Sequence, residues 1–130
     1  NETNIVLDPV LTSEVVGMMK QTVLSGTAAA IGASGFARIA AGKTGTTSDS
    51  RDTWFAGFTP DRLTIAWIGY DQNETHNLTG GSGTVPIWID FMKTATAHDP
   101  VRDFRWPEGT RAERVKPDLE TNEIDLVFKK

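Results

Sequence analysis

The chain has 130 residues, which is enough for one domain with a single hydrophobic core. Its formal net charge is -4 and its 13 lysines and arginines are scattered along the sequence, which argues against a nucleic-acid partner. It contains no cysteine, so disulfides and thiolate metal sites are excluded, and its two histidines, His76 and His98, are far apart in sequence. We expect both histidines to lie in loops, and we predict neither a metal nor a cofactor.

The first helix is predicted from Asp8 to Leu24. Asp8 can cap it, Pro9 suits the first helical position, and apolar residues recur at helical spacing. We expect this apolar stripe to face the core; its members are Leu11, Val15, Met18, Met19 and Val23. Residues 27–35 are small and are interpreted as a loop.

Three strands are predicted next, at residues 36–46, 53–58 and 63–70, and we expect them to pair as an antiparallel meander. The segment Thr59-Pro60-Asp61-Arg62 between the last two has proline at the second position of a tight turn. The third strand is almost continuously apolar, which favours a strand covered on both faces.

A second helix is predicted to begin near Thr84 or Val85, with Pro86 in its first turn, and to continue to Ala97. Its apolar bulk comes from Ile87, Ile89, Phe91 and Met92. We therefore divide the chain into residues 1–98 and a charged, proline-containing tail at 99–130, which we expect to be extended or partly disordered.

The strongest chemical signal is Gly42-Lys43-Thr44-Gly45-Thr46-Thr47. On a strand, alternation places Thr44 and Thr46 on one face and Lys43 and Gly45 on the other. Two hydroxyls, a strand-edge amide and a nearby ammonium suit a carboxylate ligand. An ordinary threonine-rich strand with a solvated lysine has the same spacing, so alternation alone leaves both interpretations open.

A phosphate-binding loop is the other chemistry that uses a Gly-Lys-Thr sequence. That loop needs a glycine five residues before Gly42, where this chain has Ala37, and a helix directly after the Lys-Thr pair. Residues 45–50 are poor helix formers, so nucleotide binding is the weaker alternative.

A wider set of motifs resembles the end of the transpeptidase domain of class A penicillin-binding proteins, in which a Lys-Thr-Gly element accompanies Ser-x-x-Lys and Ser-x-Asn elements. The resemblance covers roughly Pro9 to Ala97. The segments that carry it are Val16–Met19, Val23–Thr27, Ala41–Thr47, Arg51–Pro60, Trp67–Asp71, Gly80-Gly81 and Pro86–Trp88.

The resemblance implies an α+β fold in which an antiparallel three-stranded meander is flanked by an N-terminal and a C-terminal helix. This would be a fragment of the five-stranded fold shared by penicillin-binding proteins and serine β-lactamases. Earlier strands of that fold pair on both sides, so this part alone would leave two open edges, through which we expect it to self-associate.

The implied activity is a D,D-transpeptidase that cross-links peptidoglycan stem peptides through a serine acyl-enzyme, which β-lactams trap. Lys43 would set the electrostatics of the cleft. Thr44 and Thr46, with Gly45 between them, would bind the terminal carboxylate, and the Thr46 N–H would be one oxyanion donor. Such an enzyme works at the outer face of the bacterial inner membrane, held by an anchor expected outside this chain.

Neither Ser-x-x-Lys nor Ser-x-Asn occurs in the 130 residues. We therefore expect the chain to be inactive alone and to need the upstream part of the domain as its partner. The alternative is a module that recognises carboxylates or β-lactams without turnover. Trp54 and Phe55 could border the acceptor side of the cleft, although alternation predicts at least one in the core, and Arg51 could pair with Asp52.

Overall fold

The computed structural model describes residues 5–116 and 124–130. It has an α+β fold with a three-stranded sheet, a separate strand pair, and a π-helical turn at Gly80–Thr84 that leads into the last helix. The elements, in chain order, are α1 (Pro9–Leu24), α2 (Ala30–Ala33), β1 (Ala41–Thr46), β2 (Asp52–Phe58), β3 (Leu63–Gly69), α3 (Val85–Ala95), β4 (Thr110–Val115) and β5 (Ile124–Lys129). The predicted order of helix, three-stranded meander and helix is confirmed.

Helix α1 begins as predicted. The Asp8 carboxylate accepts hydrogen bonds from the backbone N–H groups of Val10 at 2.8 Å and Leu11 at 2.9 Å, which satisfies two of the donors that a helix start leaves free. Pro9 occupies the first turn, where its missing N–H costs nothing.

The prediction that the apolar stripe of α1 faces the core is largely wrong. Leu11, Val15 and Met18 are 60%, 49% and 55% exposed, whereas the buried residues of the helix are Ser13, Gly17 and Val23. Ser13 and Gly17 lie on the opposite side of the helix from Leu11 and Val15, because each residue advances about 100° around the axis.

Strand β5 covers this small-residue side of α1. A Cβ atom added to Gly17 would lie 3.2 Å from Val127 Cγ2, so glycine permits the close approach of helix and strand. The backbone N–H of Lys129 also donates to Glu14 Oε1 at 2.8 Å. Packing against β5, a strand more than a hundred residues later in the sequence, therefore determines which side of α1 is buried.

The segment interpreted as a loop of small residues contains the one-turn helix α2 and contributes to the core, contrary to prediction. Ala28 and Ile31 are fully buried. The first strand is also shorter than predicted, since β1 begins at Ala41 and Phe36 lies instead in the core.

Strands β1, β2 and β3 form the predicted meander, with Thr46 opposite Thr53 and Phe58 opposite Leu63. The turn between β2 and β3 closes through Thr59 N–H, which donates to Arg62 O at 2.9 Å. The prediction that the third strand is covered on both faces is wrong for this chain. Ala66 is buried, but Ile65 and Trp67 on the other face are 58% and 47% exposed.

The core lies between the sheet and α3, and Trp88 is its centre. Its ring makes edge-to-face contacts with Phe36 and Phe55, each with centroids 5.4 Å apart, and its Nε1–H donates to Gly57 O at 3.1 Å. A Cβ atom on Gly57 would lie 2.7 Å from the indole, so glycine allows Trp88 to rest on the sheet.

Residues 96–107 run from α3 to the β4–β5 pair. Ionic contacts hold this segment against the turn between β2 and β3 and against α1. Arg62 binds Asp99 through two hydrogen bonds, of 2.5 and 2.9 Å, and Lys20 binds Asp103 at 2.9 Å. The hydrogen bond from Arg62 lowers the pKa of the Asp99 carboxyl below its ordinary value. The β4–β5 pair in this tail was not predicted from sequence.

Candidate functional site

The free edge of β1 is defined by its hydrogen bonds to β2. Thr47 N–H, one residue beyond the strand, donates to Asp52 O at 3.0 Å. Because bonded and non-bonded pairs alternate along an antiparallel ladder, Gly45 and Lys43 bond to β2, whereas the backbone groups of Thr44 and Thr46 point away from it. In the part of the chain that the structure describes, no strand pairs with that edge, so the Thr46 N–H takes no part in a strand ladder there.

The predicted alternation of side chains along β1 is present. The hydroxyls of Thr44 and Thr46 lie on the face that carries Phe55. Gly45 lies on the other face beside Trp54, where an added Cβ atom would make an ordinary contact of 3.5 Å. Thr46 is exposed and Thr44 half-buried, so both can be reached from solvent.

The exposed Lys43 side chain folds back along the strand, and its Nζ donates to Thr44 O at 2.7 Å. That carbonyl points to the open edge. The ammonium therefore lies at the same edge as the Thr46 N–H, although Lys43 starts on the opposite face of the strand. The edge presents a cation and a backbone donor, with two hydroxyls beside them.

Two residues without an assigned role in the sequence analysis contact these hydroxyls. Thr27 Oγ1 lies 2.8 Å from Thr44 Oγ1, and the backbone N–H of Gly80 donates to Thr46 Oγ1 at 3.1 Å. The Gly80-Gly81 pair is one of the segments that carry the family resemblance, but its contact with β1 depends on tertiary packing.

The two aromatic residues of β2 lie on opposite faces. Phe55 is fully buried against Trp88, as alternation predicted for one of the pair. Trp54 is 46% exposed, and its ring centroid lies 5.8 Å from that of Trp67. Trp54 borders the face opposite the threonine hydroxyls.

The predicted Arg51–Asp52 pair is wrong. Arg51 pairs instead with Asp49 at 3.4 Å, and Asp52 accepts a hydrogen bond from Trp67 Nε1 at 2.9 Å. Asp52 therefore fixes an indole on the exposed face of the sheet.

The nucleotide-binding alternative fails on geometry. Gly42, Lys43 and Thr44 lie inside β1, and the chain continues as strand to Thr46 before turning at residues 47–50. A phosphate-binding loop would need a helix to start there, with its N–H groups aimed at the anion.

Within residues 5–116 and 124–130, no three His, Cys, Asp or Glu side chains come together in a way that could hold a metal ion. Over the same residues, no helix has both the length and the apolar character needed to cross a bilayer. Both histidines lie outside the helices and strands, as expected.

Comparison with solved structures relates this fold to a known one. The crystal structure of penicillin-binding protein 1A from Haemophilus influenzae matches 95% of this chain with a TM-score of 0.79 and 24% sequence identity. The matched region is 21% of that chain. The fold is therefore that of a portion of a penicillin-binding protein.

Curated relatives give the same result in sequence. Penicillin-binding protein 1A of Aquifex aeolicus is 42% identical over 104 residues, which are 78% of this chain and 14% of the relative. The protein of the same name from Neisseria lactamica is 41% identical over 97 residues, 73% of this chain and 12% of the relative. No protein-family model matches the chain. The chain belongs to the class A penicillin-binding proteins, and it spans a small part of the length of the relatives it matches.

Proposed function

We propose that the full-length protein containing this chain is a serine D,D-transpeptidase that cross-links the stem peptides of peptidoglycan, and that this chain supplies one wall of its active site. The observation that carries the proposal is the open edge of β1, which in this proposal stays unpaired in the full-length protein, so that only the edge of β3 pairs with an earlier strand. At the β1 edge, the Thr46 N–H, the Lys43 ammonium and the hydroxyls of Thr44 and Thr46 lie within four consecutive residues.

This edge has the groups that acyl transfer from a D-Ala-D-Ala terminus requires. The terminal carboxylate accepts hydrogen bonds from the hydroxyls of Thr44 and Thr46, and the ammonium of Lys43 favours its negative charge. The penultimate carbonyl then lies where the Thr46 N–H can stabilise the oxyanion that forms during attack. Gly45 belongs to the same substrate-binding strand, without a side chain to crowd it.

The nucleophile comes from a Ser-x-x-Lys element outside these 130 residues, which contain none. Its Oγ attacks the penultimate carbonyl, the peptide bond to the terminal D-Ala breaks, and D-Ala leaves as the free amine. An amine of a neighbouring stem peptide then attacks the ester and regenerates the serine. A β-lactam traps the enzyme because its opened ring stays attached to the same serine.

Further parts of the proposal follow from the family. Residues 1–98 are the C-terminal portion of the transpeptidase domain and join an upstream portion to form the whole domain. The protein acts outside the bacterial inner membrane, anchored by a segment that is not in this chain. The isolated chain does not acylate.

Labelling with a fluorescent penicillin tests the proposed function. The full-length protein should become covalently labelled, whereas the 130-residue chain should not. A full-length protein that binds the penicillin reversibly, without a covalent adduct, would support a recognition module without turnover and would contradict the transpeptidase.

A further inference from the structure

The π-helical turn at Gly80–Thr84 packs against β1 more closely than any side chain would permit. A Cβ atom on Gly80 would lie 2.8 Å from Trp54 O and 2.9 Å from Thr44 Cβ. A Cβ atom on Gly81 would lie 2.6 Å from Thr27 O. The two glycines therefore let this turn contact the threonines of the site through its backbone.

The turn itself is held by reciprocal hydrogen bonds. Thr79 Oγ1 accepts from Ser82 N–H at 3.1 Å, and Ser82 Oγ accepts from Thr79 N–H at 3.0 Å. Inside the turn, the buried Thr84 hydroxyl donates to Gly80 O at 2.9 Å. Gly80 is thus fixed from both sides, which makes its N–H a preorganised donor.

This donor determines the polarity of the Thr46 hydroxyl. A backbone N–H can only donate, so Thr46 Oγ1 accepts the hydrogen bond from Gly80. A hydroxyl carries one proton, and that proton is then left to point away from Gly80. Thr46 is therefore prepared to donate to a ligand, and an anion is the best acceptor for it.

Thr27 can do the same for Thr44. The two hydroxyl oxygens are 2.8 Å apart, and either can be the donor. When Thr27 donates, the proton of Thr44 is available to a ligand; when Thr44 donates to Thr27, it is not. A bound carboxylate selects the first arrangement, because carboxylate oxygens only accept hydrogen bonds.

We propose that Thr27 and Gly80 are positioning residues that make the Thr44 and Thr46 hydroxyls donors, and that they thereby set the preference of the site for a carboxylate over a neutral group. This inference rests on the proposed function, since it deepens how the same site would choose its substrate. Neither residue touches the reacting atoms.

The test compares two ligands in the full-length protein: a penicillin with its free carboxylate and the methyl ester of that carboxylate. The measured quantity is the ratio of the two second-order acylation rate constants. Thr27→Val keeps the shape but removes the hydroxyl that turns the Thr44 proton toward a ligand. It should lower this ratio about fivefold, because the lost hydrogen bond joins two neutral hydroxyls. Thr27→Ser should restore it.

The matched control is Thr94→Val, an exposed threonine at the far end of α3, which should leave the ratio unchanged. Because both ligands are measured on the same sample, any misfolded fraction cancels from the ratio. An unchanged ratio in Thr27→Val, or an equal loss with both ligands, would overturn the inference alone. Absence of labelling in the unsubstituted protein would instead overturn the proposed function.

Discussion

The two faces of the three-stranded sheet differ in how completely this chain covers them. One face packs on α3 and the Gly80–Thr84 turn, and it holds both the buried Phe55 and the hydroxyls of Thr44 and Thr46. The other face leaves Trp54 and Trp67 about half exposed. We call the first side the finished face, because this chain covers it; the candidate site lies at its edge. We call the second side the unfinished face, because it exposes large apolar groups.

A pair of tryptophan substitutions gives the largest contrast between the faces. Trp88→Ala should destabilise the chain by about 3–5 kcal/mol, because it removes two edge-to-face contacts and a buried hydrogen bond. Trp54→Ala should cost about 1 kcal/mol, since its ring contacts mainly Trp67 at the surface. Urea unfolding measures both. Equal losses would mean that the two faces contribute alike.

Thr46→Pro tests the edge that borders the finished face. The Thr46 N–H is not part of the ladder to β2, so its removal should leave the sheet paired. In the full-length protein it should reduce penicillin acylation about 10²–10³-fold, the usual loss for one oxyanion donor. Thr46→Ser keeps the N–H and a hydroxyl and is the matched control. Undiminished acylation in Thr46→Pro would show that the oxyanion donor lies elsewhere.

The unfinished face and the two open edges should make the isolated chain associate with itself. Ile65→Lys places a charge on β3, at an apolar residue that is 58% exposed. Sedimentation equilibrium should show that the substitution raises the dissociation constant of self-association at least about tenfold. This equals a loss of at least about 1.4 kcal/mol of association free energy. Ile87→Lys, at a residue of α3 that is 51% exposed, should change association less. A clean monomer before any substitution would refute the proposal.

A buried hydroxyl on the finished face gives a smaller effect. Thr53 is fully buried opposite Thr46, and its Oγ1 has no hydrogen-bond partner among the residues described. Thr53→Val should therefore stabilise the chain by about 1 kcal/mol, because an unpaired buried polar group is costly. In Thr96→Val the hydroxyl that is lost donates to Met92 O at 2.7 Å, so the same chemical change should destabilise. Thermal or urea unfolding distinguishes the two signs.

The smallest expected effect is the pH dependence of the Arg62–Asp99 contact that ties residues 96–107 to the turn between β2 and β3. The pKa of Asp99 is lowered in the folded state, so its contribution to stability is complete above the ordinary carboxyl pKa. It is lost as the pH falls through the lower, folded pKa. The stability difference between the unsubstituted chain and Asp99→Asn should thus be present at neutral pH and vanish in acid. A difference that persists in acid would contradict the ionic origin of the contact.

Elements with local signals could be predicted from sequence. Asp8 and Pro9 determine where α1 starts, and Thr59-Pro60 determines the turn of the meander, because each acts on neighbouring backbone groups. The alternation that places Thr44 and Thr46 together is equally local. These signals, with the family resemblance, point to the candidate site, whose role in binding and catalysis stays a prediction.

Distant packing could not be predicted in the same way. Contact with Val127 places Gly17 on the buried side of α1 and leaves Leu11 exposed. The spacing of apolar residues within α1 could not predict this, because the contact is made by a distant strand. The contacts of Thr27 and Gly80 with β1 likewise join residues 17 and 34 positions apart in the chain. Short apolar segments in the charged tail gave too weak a signal for the β4–β5 pair.

The central claim is that the open edge of β1 binds the carboxylate and the oxyanion of the acyl donor. A crystal structure of the full-length protein acylated by a penicillin tests it most directly. We predict that the ligand carboxylate contacts the hydroxyls of Thr44 and Thr46, and that the acyl carbonyl oxygen accepts a hydrogen bond from the Thr46 N–H. An acyl-enzyme whose carboxylate and carbonyl oxygen both contact other residues would contradict it.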